Sequence, residues 1–247
     1  MLQPFLQHIA DENLFAPGDK LLLAVSGGAD SMVMLHLLQQ SRFEFSVAHC
    51  NFRLRGAESD GEEVFIRDYC GEQGIELFVQ HFDTREYARI EGISIEMAAR
   101  ELRYKWFGDL RAQLGCQYIV TAHHRDDLVE TMLINLSRGT GIRGLTGIQP
   151  KNGHLVRPLL FASREEILAY AVAQKLPFKH DSSNDELIYQ RNIIRHQLIP
   201  LFETINPAFR KNAAKTASIL KDTAEVYQQK LNEVQAEVKA EQNGQIS

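Results

Sequence analysis

A hydrophobic run, Leu21-Leu22-Leu23-Ala24-Val25, leads straight into Ser26-Gly27-Gly28-Ala29-Asp30-Ser31 and then into a helical pattern. Two adjacent glycines let backbone N–H groups converge on a phosphate without interference from a Cβ. The helix N-terminus behind them adds its dipole and its unpaired amides. Ser26 and Ser31 bring hydroxyl donors, and the Asp30 carboxylate suits Mg2+ held against pyrophosphate oxygens. The spacing and the lysine of the common GxxxxGK(S/T) phosphate loop are absent. The plainer alternative is a strand-to-helix turn with an N-cap serine, but the flanking strand, the glycines and the acid fit a phosphate loop together.

Four further constellations carry chemistry-bearing side chains. Thr121-Ala122-His123-His124-Arg125-Asp126-Asp127-Leu128-Val129-Glu130-Thr131 begins where a strand should end, the position at which open α/β sheets bind ligands. Asp127 and Glu130 are three residues apart and share one helix face, suited to an ammonium group, a metal ion or general-base work. His123 and His124 are zinc-ligand types, but no third ligand stands at convincing spacing. Gly139-Thr140-Gly141-Ile142-Arg143-Gly144 spells a dinucleotide fingerprint, yet a helix rather than a strand precedes it, so that reading is rejected. Arg138 and Arg143 can still close over phosphates from that loop. A strand ending in Ala48-His49-Cys50-Asn51 can supply an adenine and ribose pocket through His49 and Asn51. Arg100 and Arg103, one helical turn apart, can face an anion together or simply be solvated.

The elements that must position these groups follow from periodicity. Runs rich in β-branched and aromatic residues at 20–25, 43–49, 75–82 and 117–122 predict strands. Helical patterns at 30–40, 58–72, 95–114, 125–136 and 163–175 separate or follow them. Strands alternating with helices imply right-handed crossovers and a doubly wound parallel sheet. In the third helix Ala98, Leu102, Trp106, Leu110 and Leu114 recur every four residues. From residue 206 the tail carries a narrow apolar seam, Ala213, Ala217, Leu220, Ala224, Tyr227, Leu231, Val234 and Val238, which predicts one long helix. The expected organisation is therefore an α/β domain over 1–205 and a helical extension over 206–247.

Composition limits the function classes. The 247 residues are 44% hydrophobic and 24% charged, which excludes disordered and fibrous chains. No apolar run has the length of a membrane helix, and no Lys or Arg precedes Lys20 to start a signal peptide. Cys50, Cys70 and Cys116 are three and widely spaced, which argues against a disulfide framework and fits a reducing cytoplasm. Net charge is −5, weakly against a nucleic-acid binder. Its distribution argues otherwise: 131–163 holds no acid, and 191–215 holds five Lys and Arg against Glu203. These segments read as solvated surface or as a track for a polyanion.

Taken together, these residues resemble the N-type ATP pyrophosphatases, which carry a Ser-Gly-Gly-x-Asp-Ser loop and split ATP into AMP and pyrophosphate. Within them, the neighbouring stretches resemble the tRNA(Ile)-lysidine synthetase family: HCNFRLRG (49–56), EMAARELRYKW (96–106), AHHRDDLVET (122–131), RGTGIRGL (138–145), RPLL (157–160) and DSSNDELIYQRNIIR (181–195). Phe52 and Arg53 stand where the family has His and Gly, and Leu128 where Gln is common. The resemblance implies ATP and Mg2+ at Ser26, Gly27, Gly28, Ala29, Asp30 and Ser31, with Asp30 on the metal. It implies adenylation of the wobble cytidine of a CAU-anticodon isoleucine tRNA, then attack by free lysine to give lysidine. Asp127 and Glu130 are the expected lysine-binding carboxylates, His123 shares with them the candidacy for general base, and Arg100 is expected at the phosphates. Arg103, Arg138, Arg143, Arg157, Arg191 and Arg195 are the expected contacts to tRNA or phosphate. The helical tail would lead to further tRNA-gripping domains, and a homodimer is compatible with the pattern. A tRNA thiolation enzyme, a nucleotide-binding regulatory module and an amidating ligase are the rival readings; the thiolation enzyme would want paired cysteines.

Overall fold

The computed structural model describes residues 1–179 and 190–244; of 236–244 it describes the backbone alone. In chain order the elements are α1 (Leu2–Asp11), β1 (Leu21–Ala24), α2 (Ala29–Ser41), β2 (Phe45–Asn51), α3 (Ala57–Gln73), β3 (Leu77–His81), α4 (Thr84–Glu91), α5 (Ile95–Leu114) and β4 (Tyr118–Val120). There follow α6 (Arg125–Ser137), α7 (Ile142–Leu145), β5 (Lys151–Asn152), β6 (Leu155–Val156) and α8 (Arg164–Ala173). After the residues not described come α9 (Gln190–Ile193), a π-helical stretch Ile194–Leu198, α10 (Ile199–Ile205) and α11 (Phe209–Gly244). The four strands and five helices expected from periodicity are all present, with ends displaced by a few residues.

Packing divides the chain into two units: Met1–Arg125 with Pro150–Ser182, and Asp126–Gln149 with Ser183–Ser247. This grouping cuts across the division at residue 205 expected from the sequence.

The first unit contains a six-stranded sheet in the order β3-β2-β1-β4-β6-β5. Strands β1 to β4 and β6 run parallel, and β5 turns back antiparallel on β6 at the edge. Strand β1 is central, which explains its unbroken Leu21-Leu22-Leu23: each is fully buried, because helices cover both faces of a parallel sheet. The sheet grows from β1 towards β3 and then resumes on the other side with β4. A crevice therefore opens at the carboxyl ends of β1 and β4, the switch point where such sheets bind ligands. Helix α5 starts at Ser94, whose hydroxyl accepts the Met97 N–H at 3.2 Å, and stops at Gly115 in the left-handed conformation. Its inner face is Ala98, Phe107 and Leu110. Trp106 of the four-residue seam is only partly buried, since a period of 3.6 drifts off a strict period of four.

The second unit is helical. Val129 and Leu133 of α6 pack with Ile194, Ile199 and Ala213 around a small core, and Phe202 stacks on Phe209 at 4.5 Å between ring centres. The apolar seam of α11 is buried at Ala213 and Ala217 but exposed by Tyr227 and Val234. Among the described residues, no helix is long and apolar enough to cross a membrane.

Candidate functional site: a phosphate-loop cleft at the sheet switch point

The first unit holds a cleft of about 230 Å3 at the switch point. Ala24, Val25, Ser26, Asp30 and Ser31 form one wall at the β1–α2 corner. Thr121, Ala122 and His123 line it beyond β4, Ala48, Cys50 and Phe52 at the end of β2, and Arg103, Tyr104 and Phe107 from α5. Four separate chain segments thus meet at one place.

The loop is tightly wired. Gly27 sits at φ +89°, a conformation that suits glycine, with Phe65 and Ile66 of α3 behind it. The Ser31 hydroxyl accepts from the N–H groups of Gly27 (3.2 Å) and Ser26 (3.3 Å) and donates to the Gly28 carbonyl at 2.9 Å. The Gly28 N–H lies 3.4 Å from the Ser26 hydroxyl. Three consecutive backbone donors therefore gather at the first turn of α2. Asp30, in that turn, has its carboxylate 3.7 Å from Nε2 of buried His124. Convergent amides, a helix N-terminus and a part-exposed carboxylate are the donor set that a Mg2+-bound polyphosphate needs.

Strand alternation decides which residues of β2 reach the cleft. Successive side chains point to opposite faces, so Ala48, Cys50 and Phe52 line it while His49 and Asn51 face away. The expectation that His49 and Asn51 contact the nucleotide is corrected accordingly. His49 is 3% exposed and its Nδ1 bonds the Val25 carbonyl at 2.8 Å. Asn51 donates to Asp60 (3.1 Å) and Glu63 (3.0 Å) and accepts the Arg53 N–H. Glu63 also meets Arg67 and His81. Burial raises its pKa, but these hydrogen bonds from Asn51, Arg67 and His81 prevail and hold it down at about 2.

Aromatic and cationic side chains cluster at the cleft's α5 side. The Arg103 guanidinium lies over Phe52 at 5.1 Å, and Phe52 stacks on Phe82. Arg100 lies over the Tyr104 ring at 5.0 Å and is exposed outside the cleft lining, so of the two arginines it is Arg103 that faces the cleft. Arg157 is 7% exposed and hydrogen-bonded to Tyr104; burial pushes its pKa down. A tRNA phosphate contact needs an accessible guanidinium, and Arg157 is corrected to an interior support of Tyr104. Burial likewise pushes the Cys50 thiol up to about 12. His123 lines the cleft with Nδ1 2.9 Å from the Thr121 hydroxyl. Among the described residues, no three His, Cys, Asp or Glu side chains come together as a group that could hold a metal ion.

In the second unit the predicted carboxylates are drawn together with predicted arginines. Glu130 is fully buried; Arg195 donates to both its oxygens at 2.6 and 3.0 Å, and Arg191 approaches to 3.5 Å. Arg195 also lies 3.5 Å from Asp127, and Arg210 bonds Asp126 at 2.9 Å. Burial pushes the Glu130 carboxyl up, against the pull of the Arg195 hydrogen bonds. Arg191 and Arg195 thus spend their guanidinium groups on neighbouring acids, and Glu130 is enclosed. Arg138 and Arg143 are exposed, beside Gln190 and Gln228 respectively. Residues 181–189 of the last motif lie outside the described residues.

The family model described as "PP-loop domain" matches residues 2–202. The chain is 48% identical over 236 residues to the tRNA(Ile)-lysidine synthase of Bacteroides thetaiotaomicron, covering 96% of this chain and 55% of that protein. It is 38% identical to the tRNA(Ile)-lysidine synthase of Petrotoga mobilis, over 91% of this chain and 73% of that one. The chain belongs to the tRNA(Ile)-lysidine synthase family of PP-loop proteins. It spans about half the length of the first curated relatives it matches. Among solved structures it is similar in fold to the U34-tRNA thiolase NcsA of Methanococcus maripaludis, solved with its 4Fe-4S cluster, at a TM-score of 0.72 and 18% identity. That match covers 89% of this chain and 79% of the thiolase. The likeness supports the PP-loop fold.

Proposed function

We propose that this chain uses ATP to activate the wobble cytidine of a CAU-anticodon isoleucine tRNA and attaches lysine to it. The observation that carries the reading is the cluster of loop N–H groups beside Asp30 at the sheet switch point, in a chain of this family. In the first step the cytidine 2-oxygen attacks the α-phosphorus of ATP and pyrophosphate leaves. In the second, the lysine ε-amine attacks C2, the C2–O bond breaks with AMP as leaving group, and the amine gives up its proton.

The residues support distinct parts of this chemistry. Amides of Ser26, Gly27 and Gly28 cradle the pyrophosphate and stabilise it as it departs. Asp30 is the residue that would hold Mg2+, which supplies charge neutralisation on the phosphates when bound. Arg103 contributes a further positive charge over the same cleft. His123, on the cleft wall, is the candidate to accept the proton. In the second unit the acids bear on the lysine: Asp127 remains the candidate for its ammonium group, and the enclosed Glu130 orders Arg195 beside Asp127. Exposed Arg138 and Arg143 suit tRNA phosphates.

The test is incorporation of labelled lysine into a CAU-anticodon isoleucine tRNA transcript in the presence of ATP and Mg2+. Wild-type chain should label that transcript, and Asp30→Asn should lower the rate at least a hundredfold at an unchanged melting temperature. Equal labelling by Asp30→Asn overturns the role given to Asp30. Labelling that needs no CAU anticodon overturns the substrate.

A further inference from the structure

The buried histidine that turns its back on the cleft has a job at the phosphate loop. We infer that His49 is a positioning residue: it fixes the peptide plane whose N–H opens the loop, and so aims the loop at pyrophosphate. This rests on the ATP reading above.

Strand β1 ends in register with β2 at Ala24–Ala48, and the Val25 N–H still reaches the Ala48 carbonyl at 3.0 Å. The Val25 carbonyl is instead bonded by the His49 side chain at 2.8 Å. A carbonyl oxygen only accepts, so Nδ1 carries the hydrogen and the ring is held as the Nδ1–H tautomer. That side chain replaces a backbone partner, which lets the chain peel away from the sheet at Ser26.

The geometry of one peptide unit gives the bond its consequence. The Val25 carbonyl and the Ser26 N–H belong to the same rigid trans plane and point in opposite directions. Pinning the oxygen from behind with His49 aims the Ser26 N–H forward, where it approaches the Ser31 hydroxyl at 3.3 Å. The next unit but one is pinned likewise: the Lys179 N–H donates to the Gly27 carbonyl at 2.9 Å, which aims the Gly28 N–H. Both clamps come from elements outside the loop. His49 is itself well seated at 3% exposure, two residues before Asn51, whose bonds to Asp60 and Glu63 lock the end of β2 to α3. The loop amides are thus preorganised before any phosphate arrives, which is what a charge-stabilising site requires.

Three substitutions separate positioning from packing. Asparagine places a donor near the position of Nδ1, glutamine offers it near that of Nε2, and leucine offers none. Calorimetric titration of the full chain with ATP and with adenosine, alongside melting temperatures, reads the outcome. His49→Leu and His49→Gln should weaken ATP binding about tenfold, the worth of one lost hydrogen bond, with adenosine affinity within about twofold of wild type. His49→Asn should bring ATP affinity back to within about threefold. In wild type, long-range nitrogen-15 spectra should show a protonated Nδ1 and a bare Nε2 at neutral pH. Equal ATP affinity in all four proteins, equal losses for ATP and adenosine, or a protonated Nε2 with bare Nδ1 would each overturn the assignment. Wild-type chain that shows the Nδ1–H tautomer but binds no ATP overturns the ATP reading, and the role with it.

Discussion

Removing Arg195 should unfold the second unit's acid cluster far more than it disturbs any surface contact. Glu130 is fully buried and receives both of its short hydrogen bonds, 2.6 and 3.0 Å, from this one guanidinium. Arg191, at 3.5 Å and part-exposed, is a weak substitute. Truncating one partner of such a pair strands a buried carboxylate, at a cost of about 3–5 kcal/mol. In a chain of this size Arg195→Met should therefore lower the melting temperature by roughly 10 °C. The pH dependence has a definite sign. Burial already raises the Glu130 pKa, and losing Arg195 raises it further. A carboxyl whose folded pKa exceeds its unfolded value of about 4.3 costs nothing below that value and destabilises as pH rises through the folded one. The deficit of Arg195→Met should be small near pH 4 and full by pH 7.5, and Glu130→Gln in the same chain should recover much of it. Denaturant unfolding followed by helix circular dichroism measures the deficit, and hydrogen exchange of peptides covering α6 localises it. An Arg195→Met protein within 1 kcal/mol of wild type at pH 7.5, or a deficit flat in pH, would refute the reasoning and return Arg195 to the phosphate-binding role expected from its sequence.

Other consequences follow from single features. Glu63, held at about 2 by Asn51, Arg67 and His81 against its burial, stabilises the fold above pH 4.5, and that contribution fades as pH falls towards 2. Glu63→Gln should therefore cost on the order of 2 kcal/mol at pH 7 and only about a quarter of that at pH 2.5, by chemical denaturation. A Cβ at Gly147 would lie 2.7 Å from the Leu128 carbonyl at a φ of +65°, so Gly147→Ala should cost about 2–4 kcal/mol in thermal unfolding. Cys50, pushed up to about 12, should alkylate at pH 8 roughly a thousandfold more slowly than a free cysteine, as read by mass spectrometry of its peptide. Arg138→Glu with Arg143→Glu should weaken tRNA binding at low salt and flatten its salt dependence by about two phosphate contacts.

Much of this was legible because the signals are strong and local. Unbroken Leu21-Leu22-Leu23 marks a strand buried on both faces, and Ser-Gly-Gly before a helical pattern marks the turn into α2, so four of the sheet's six strands and the strand-to-helix corner at Ser26–Ser31 were legible. Gly139–Gly144 comes after helix α6 rather than a strand, as its rejection as a dinucleotide motif assumed, and its second half is itself part of the single helical turn α7. What escaped depends on three-dimensional pairing. His49 and Asn51 carry polar atoms and drew attention, but a period of two hands the cleft to Ala48, Cys50 and Phe52, and only the register with β1 says which parity faces inward. Counting alternation back from His123 and the loop would have needed the strand order. Arg157, Arg191 and Arg195 looked like a basic track, since sequence distance hides that Tyr104 and Glu130 occupy them. The eight-residue α4 and the two-residue strands β5 and β6 fell below the length at which periodicity speaks, whereas α1, as long as α8, was simply not read.

The most direct test of the account is pyrophosphate release from ATP and Mg2+ by this chain, with lysine and the CAU-anticodon isoleucine tRNA omitted in turn. Adenylation of the tRNA precedes use of lysine in the proposed sequence. Release should therefore vanish without the tRNA, and without lysine it should persist for about one turnover per chain before stopping. Steady release with no RNA present would contradict the central claim and move the activated oxygen to a small carboxylate.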